Sequence, residues 1–131
     1  MLQYLPMESK DLKWSKLIPL NEQEVNKLNE KLAGVFRISE KNKIDGQFYV
    51  VFVSSSLNMK ADLTKIISHD YSDRPLMSYL RNGNEFAFRY VGGIVEEDLR
   101  KAIEKQMYKH YAPMFNKEEP VSPLDVQVNL S

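Results

Sequence analysis

The chain has 131 residues, 43% of them hydrophobic, with eighteen basic and eighteen acidic side chains and no cysteine. That length supports one hydrophobic core and is short for two domains, and the balanced charge excludes a global positive field, so any nucleic-acid site is a local patch. Without cysteine there is neither a disulfide framework nor a thiolate metal site, and His69 and His110 alone make a poor zinc site.

The N-terminus, MLQYLPMESKDLKW, lacks the basic start and apolar core of a secretion signal. No stretch approaches the roughly 20 apolar residues of a membrane span. A soluble, cytoplasmic protein with no membrane contact is the expectation. The first twenty residues, with Tyr4 and Trp14 as aromatic anchors, read as an N-terminal extension (1–20) to a domain over 21–116, followed by a tail over 117–131.

Asn21 with Glu24 three positions on forms a capping box, and Val25, Leu28 and Leu32 at helical spacing predict a short helix closed by Gly34. Gly34 has two readings, a helix stop or a close approach to the sheet. GVFRIS and QFYVVFVSSS are β-rich runs joined through Asp45-Gly46, which predicts a hairpin with its second strand from Gln47 to Ser54. Asn58 caps a predicted helix with Met59, Leu63, Ile66 and Ile67 on one face, ending near His69-Asp70. A second short helix follows Arg74-Pro75.

Arg81-Asn82-Gly83-Asn84 reads as a turn, and EFAFRYV as a third strand with Phe86, Phe88 and Tyr90 alternating against Ala87 and Arg89. From Glu96 to His110 the sequence predicts the longest helix, with Leu99, Ile103 and Met107 as its buried stripe. The tail carries two prolines and a late VQV alternation, the mark of either a wrapped extension or a partly disordered arm. The fold class is α+β: a small three-stranded antiparallel sheet flanked by helices.

A Gly34-Val35-Phe36 strand, a strand ending Phe52-Val53-Ser54, and a last helix with Glu104 followed by Tyr111, Pro113 and Asn116 together resemble the GIY-YIG nuclease domain. The resemblance spans roughly Ile18 to Asn116. Its most specific part is EKQMYKHYAPMFN, which matches the family's glutamate and Tyr-x-Pro-x-x-Asn ending. Tyr90-Val91-Gly92-Gly93 also looks like the second family element, but it follows the third strand and is read as coincidence. The resemblance implies that Glu104 would hold a single divalent metal, Mg²⁺ in an active member. It also implies two tyrosines and an arginine where this chain has Phe36, Phe52 and Asp62, so the member is degenerate.

The substitutions bear on chemistry. A hard cation takes oxygen ligands and keeps waters, so one carboxylate such as Glu104 suffices for a metal contact. Activating water needs a group that relays a proton, which phenylalanine cannot do. The charged transition state calls for a guanidinium, and Asp62 reverses that sign. Lys65, one turn beyond Asp62, and Arg89 on the third strand are the candidate replacements. Tyr49 is placed on the opposite face of its strand from Phe52, and His69 is a candidate base if the helix continues to it.

Three functions follow. The first is a catalytically inactive GIY-YIG-like module that binds nucleic acid or a protein partner, with Ser54, Ser55, Lys60, Lys65, Arg81, Arg89 and the lysine-rich last helix as candidate nucleic-acid contacts. The second is a metal-dependent endonuclease with a rearranged site built on Glu104, Lys65 and Arg89. The third is an inhibitory or structural protein on a nuclease-derived scaffold. The resemblance also implies association with phage or mobile elements.

Overall fold

The structure is a computed structural model and describes residues 8–130. Its chain order is β1 (Glu8–Lys10), β2 (Ile18–Pro19), α1 (Glu22–Val25), β3 (Gly34–Lys41), β4 (Phe48–Ser56), α2 (Met59–Ile67), α3 (Arg74–Tyr79), β5 (Phe86–Gly92), α4 (Glu97–Tyr111) and β6 (Val126–Val128). The class is α+β. The main sheet has four antiparallel strands in the order β2-β5-β3-β4, one more than the sequence predicts. The added strand, β2, is only two residues long and pairs Ile18 with Phe88 and Pro19 with Ala87. Two residues carry no legible alternation.

β3 is central, and its residues from Gly34 to Ser39 are all buried because both faces of the sheet are covered. Phe36 and Ile38 pack toward α2 and α3 with Phe52, Phe88 and Leu63. Val35 packs on the other side with Val53, Val91 and Ile103 of α4. Phe36 and Phe88 are fully buried, and burial of such a side chain stabilises by about 1.5–3 kcal/mol.

The Asp45-Gly46 hairpin forms as expected, with Gly46 at φ +72° and Asn42 accepting the Ile44 N–H at 2.8 Å through Oδ1. One irregularity follows. Ile38 pairs with Phe52 but Ser39 pairs with Val50, so Val51 is an extra residue and β4 carries a bulge. Tyr49 consequently lies opposite Glu40, on the parity of Phe36 and Phe52, and the opposite-face placement from simple alternation is corrected.

Three helices differ at their ends from the sequence expectation. α1 stops at Val25, because i→i+3 bonds from Lys27 and Leu28 tighten the chain into turns. α2 ends at Ile67 in a Schellman motif: Asp70 N–H donates to Lys65 O at 2.8 Å and His69 N–H to Ile66 O at 3.1 Å, with His69 at φ +58°. α4 runs one residue later at each end than expected.

Gly34 is at a close approach. A Cβ there would lie 2.0 Å from Val91 O, so a side chain has no room. The tail is wrapped over its described part: β6 pairs in parallel with β1, and Asn129 clasps Leu12, accepting its N–H at 2.6 Å and donating to its carbonyl at 2.7 Å. Among the described residues no helix is long and apolar enough to cross a membrane.

Candidate functional site

β4 is an edge strand, and an edge exposes a row of unpaired backbone groups. Here α4 and the segment after it answer them. Ser55 N–H donates to Glu104 Oε1 at 2.8 Å, and Ser55 Oγ donates to the same oxygen at 3.1 Å. Asn116 accepts the Val53 N–H at 2.9 Å and donates to the Val53 carbonyl at 2.8 Å, so one amide side chain imitates a strand neighbour. Phe115 N–H donates to Val51 O at 3.1 Å. Glu104 is only 7% exposed, and its second oxygen, Oε2, lies 3.7 Å from Lys101 Nζ.

The Glu104, Tyr111, Pro113 and Asn116 spacing thus has a structural meaning. α4 ends at Tyr111 with Ala112 in the left-handed region (φ 44°), which turns the chain so that Asn116 meets β4. Tyr111 donates its hydroxyl to Leu130 O at 3.1 Å and so holds the tail.

The residues that the sequence resemblance singles out, and their proposed replacements, are divided by the sheet. Phe36 and Phe52 sit in the core on the α2 side, 0% and 6% exposed, with ring centroids 6.3 Å apart. Asp62, Lys60 and Lys65 belong to α2, Lys65 exposed in its last turn. Arg89 is the register partner of Arg37 and shares the α4 side with Val35 and Val91. Ser54 and Ser55 alternate, with Ser54 opposite Phe36 and Ser55 opposite Val35. Arg81 is exposed in the turn whose Asn82 and Asn84 bond Glu40, at the far end of β3 from the serines. Of the candidates, Ser55 alone reaches Glu104 by a hydrogen bond, and Ser54 donates its hydroxyl to the Ser55 carbonyl beside it at 3.2 Å. His69 lines a separate cleft of about 700 Å³ with Glu22, Glu85 and Phe86. Its Nδ1 is buried without a hydrogen-bond partner among the described residues.

Two residues not singled out from the sequence stand at the site. Tyr71, in the loop between α2 and α3, packs edge-on against Phe52 at 6.1 Å. Burial raises its phenol above the ordinary range. The neighbouring Ser54 hydroxyl opposes that shift, and the charges of Asp62, Asp73 and Glu104 add to it. Phe36, Phe52 and Tyr71 therefore form an aromatic row in which Tyr71 carries the hydroxyl. No periodicity marks a loop tyrosine in advance.

The other is Arg37, 5% exposed, with its guanidinium 4.4 Å from the Trp14 ring centroid and 5.0 Å from that of Tyr111. Burial pulls it below the ordinary guanidinium range; Tyr111 opposes this and Arg89 reinforces it. An unpaired buried ion costs several kcal/mol, and each cation–π contact offsets on the order of 0.5–2 kcal/mol. The available signal was an arginine inside GVFRIS, a run that is otherwise mostly apolar.

Among the described residues no three histidine, aspartate or glutamate side chains come together as a metal-holding group. Glu104 does not fit a divalent cation as it stands, since one oxygen is engaged by Ser55 and the other faces an ammonium. Comparison with known protein families, curated proteins and solved structures finds no match to this chain.

Proposed function

We propose that the protein is a catalytically inactive, GIY-YIG-like module of the cytoplasm that works by binding nucleic acid. The observation that carries the loss of catalysis is the engagement of Glu104: its Oε1 closes the β4 edge through Ser55, while Phe36 and Phe52 offer no hydroxyl. A carboxylate holding backbone together is a poor exchangeable ligand. Binding draws support from α4, where Lys101, Lys105 and Lys109 recur every four residues and make one basic stripe beside the β4 edge. Lys101 meets the buried Glu104 at 3.7 Å, whereas the 3.6 Å pair of Lys109 with Glu119 is exposed at both ends, and a pair of that kind is worth only about 0–1 kcal/mol and yields to a phosphate.

The test is fluorescence anisotropy with single- and double-stranded oligonucleotides over a salt series. A binding module of this kind loses affinity steeply with salt, and Lys105→Ala lowers the slope by about one. Absence of binding at low salt overturns the reading and turns attention to a protein partner.

A second reading, a metal-dependent endonuclease with a rearranged site, draws on Tyr71, whose phenol lies within electrostatic reach of Asp62 and Glu104. It requires Lys101 to leave Glu104. Cleavage of plasmid DNA in Mg²⁺ or Mn²⁺ by the wild type, lost in both Glu104→Gln and Tyr71→Phe, would establish it in place of the first.

A further inference from the structure

Arg37 and Arg89 are directly opposed across the β3–β5 ladder on the α4 side of the sheet. Opposed side chains of this kind stand about 5 Å apart at Cβ, and two like charges there repel. No carboxylate answers them: neither arginine joins an ion pair among the described residues. Arg37 Nη1 is buried and has no hydrogen-bond partner among the described residues. Nearly all buried donors in folded proteins have an acceptor, so this one marks an acceptor still to be supplied.

The surroundings are built. Trp14 donates its indole N–H to Asn129 O at 2.7 Å and Tyr111 its hydroxyl to Leu130 O at 3.1 Å, so the tail backbone holds both rings against the Arg37 guanidinium. Arg89 is half-exposed and gives the pair its access to solvent.

We propose that Arg37 and Arg89 form a binding site for a phosphoryl group, with Arg37 as its buried donor and Arg89 as its solvent-facing one. Two adjacent guanidinium forks carry two positive charges and direct donors at more than one oxygen. A phosphoryl group answers both, with several oxygens and up to two negative charges, where a carboxylate answers one. As a contact for a backbone phosphodiester the site deepens the nucleic-acid reading and rests on it; a free phosphate offers the same oxygens. The basic stripe of α4 is a different surface, so the two readings fail separately.

The experiment uses the full chain. Thermal unfolding is followed against inorganic phosphate and, at matched ionic strength, against acetate; oligonucleotide binding is measured in parallel. Both arms are repeated with Arg89→Gln, and with Arg37→Met if that variant folds. The site predicts that phosphate raises the Tm of the wild type progressively and more than acetate does, and that Arg89→Gln weakens phosphate binding at least about tenfold. If oligonucleotides bind and Arg89→Gln weakens them likewise, the source is the nucleic-acid backbone. If phosphate binds and oligonucleotides do not, the site stands and the nucleic-acid reading falls. An equal response to acetate, no response to phosphate, or an unchanged response in Arg89→Gln overturns the site, even where oligonucleotides bind through α4.

Discussion

Glu104 on α4 accepts both the backbone N–H and the hydroxyl of Ser55, at 2.8 and 3.1 Å, and so joins the last helix to the edge of the sheet. Hydrogen bonds to a charged group are worth about 1.5–3 kcal/mol each, and removing the acceptor leaves a part-buried edge donor facing α4 without a partner. Glu104→Ala is expected to cost about 2–3 kcal/mol in urea unfolding, whereas Glu104→Gln, which keeps an acceptor oxygen, costs about 1 kcal/mol. Equal stability of all three proteins would remove Glu104 from its structural role and return it to the metal-ligand reading.

Asn116 pairs with both polar groups of Val53. Asn116→Ala therefore uncovers one donor and one acceptor, for an expected loss of about 2 kcal/mol. Amide exchange at Val53 should quicken more than at Val35, which lies inside the sheet.

Gly34 faces the Val91 carbonyl so closely that the Cβ of Gly34→Ala must displace backbone. Overpacking of this kind costs about 1–3 kcal/mol, and the upper end is expected because a ladder carbonyl cannot swing aside as a side chain can. Equilibrium unfolding of the variant measures it.

Glu40 accepts hydrogen bonds from Tyr79, Asn82 and Asn84 at 2.6, 3.1 and 2.7 Å. Burial by itself would raise its carboxyl, but the three hydrogen bonds and the charge of Lys43 outweigh it, and the group is held below the ordinary value of 4.5. A carboxyl lowered in the folded state contributes its full stability above the unfolded value, and loses it as pH falls through the folded one. The Tm should therefore hold above about pH 5 and fall below pH 4.5, and Glu40→Gln should flatten that acid limb. An unchanged limb in the variant would assign the acid sensitivity to other carboxylates.

His69 occupies the left-handed position of the α2 Schellman motif, where glycine is the favoured residue, and leaves Nδ1 buried without a hydrogen-bond partner among the described residues. His69→Gly is expected to stabilise by about 0.5–1 kcal/mol. A loss of stability would mean that the imidazole contributes more through packing at its cleft than its backbone strain costs.

Much of the architecture was legible in the residues. The Asp45-Gly46 hairpin, the Asn58 cap of α2, the alternation of Phe86, Phe88 and Tyr90, and the Leu99, Ile103, Met107 stripe of α4 are local patterns with period two or 3.6, and local sterics and burial suffice to write them. Three things had no local signature. β2 is two residues long and exists because β5 offers it an edge. The bulge at Val51 reverses the parity that alternation assigns to Tyr49, since one extra residue turns the strand over. Glu104 and Ser55 are 49 positions apart, Arg37 meets the rings of Trp14 and Tyr111 from distant parts of the chain, and such pairings form through packing of elements whose order along the chain says nothing of their contact. The identity of Glu104 as a helix glutamate was therefore plain from the sequence, while its task at the edge of β4 came from the tertiary fold, because a buried backbone N–H takes whichever acceptor the packed chain brings within reach.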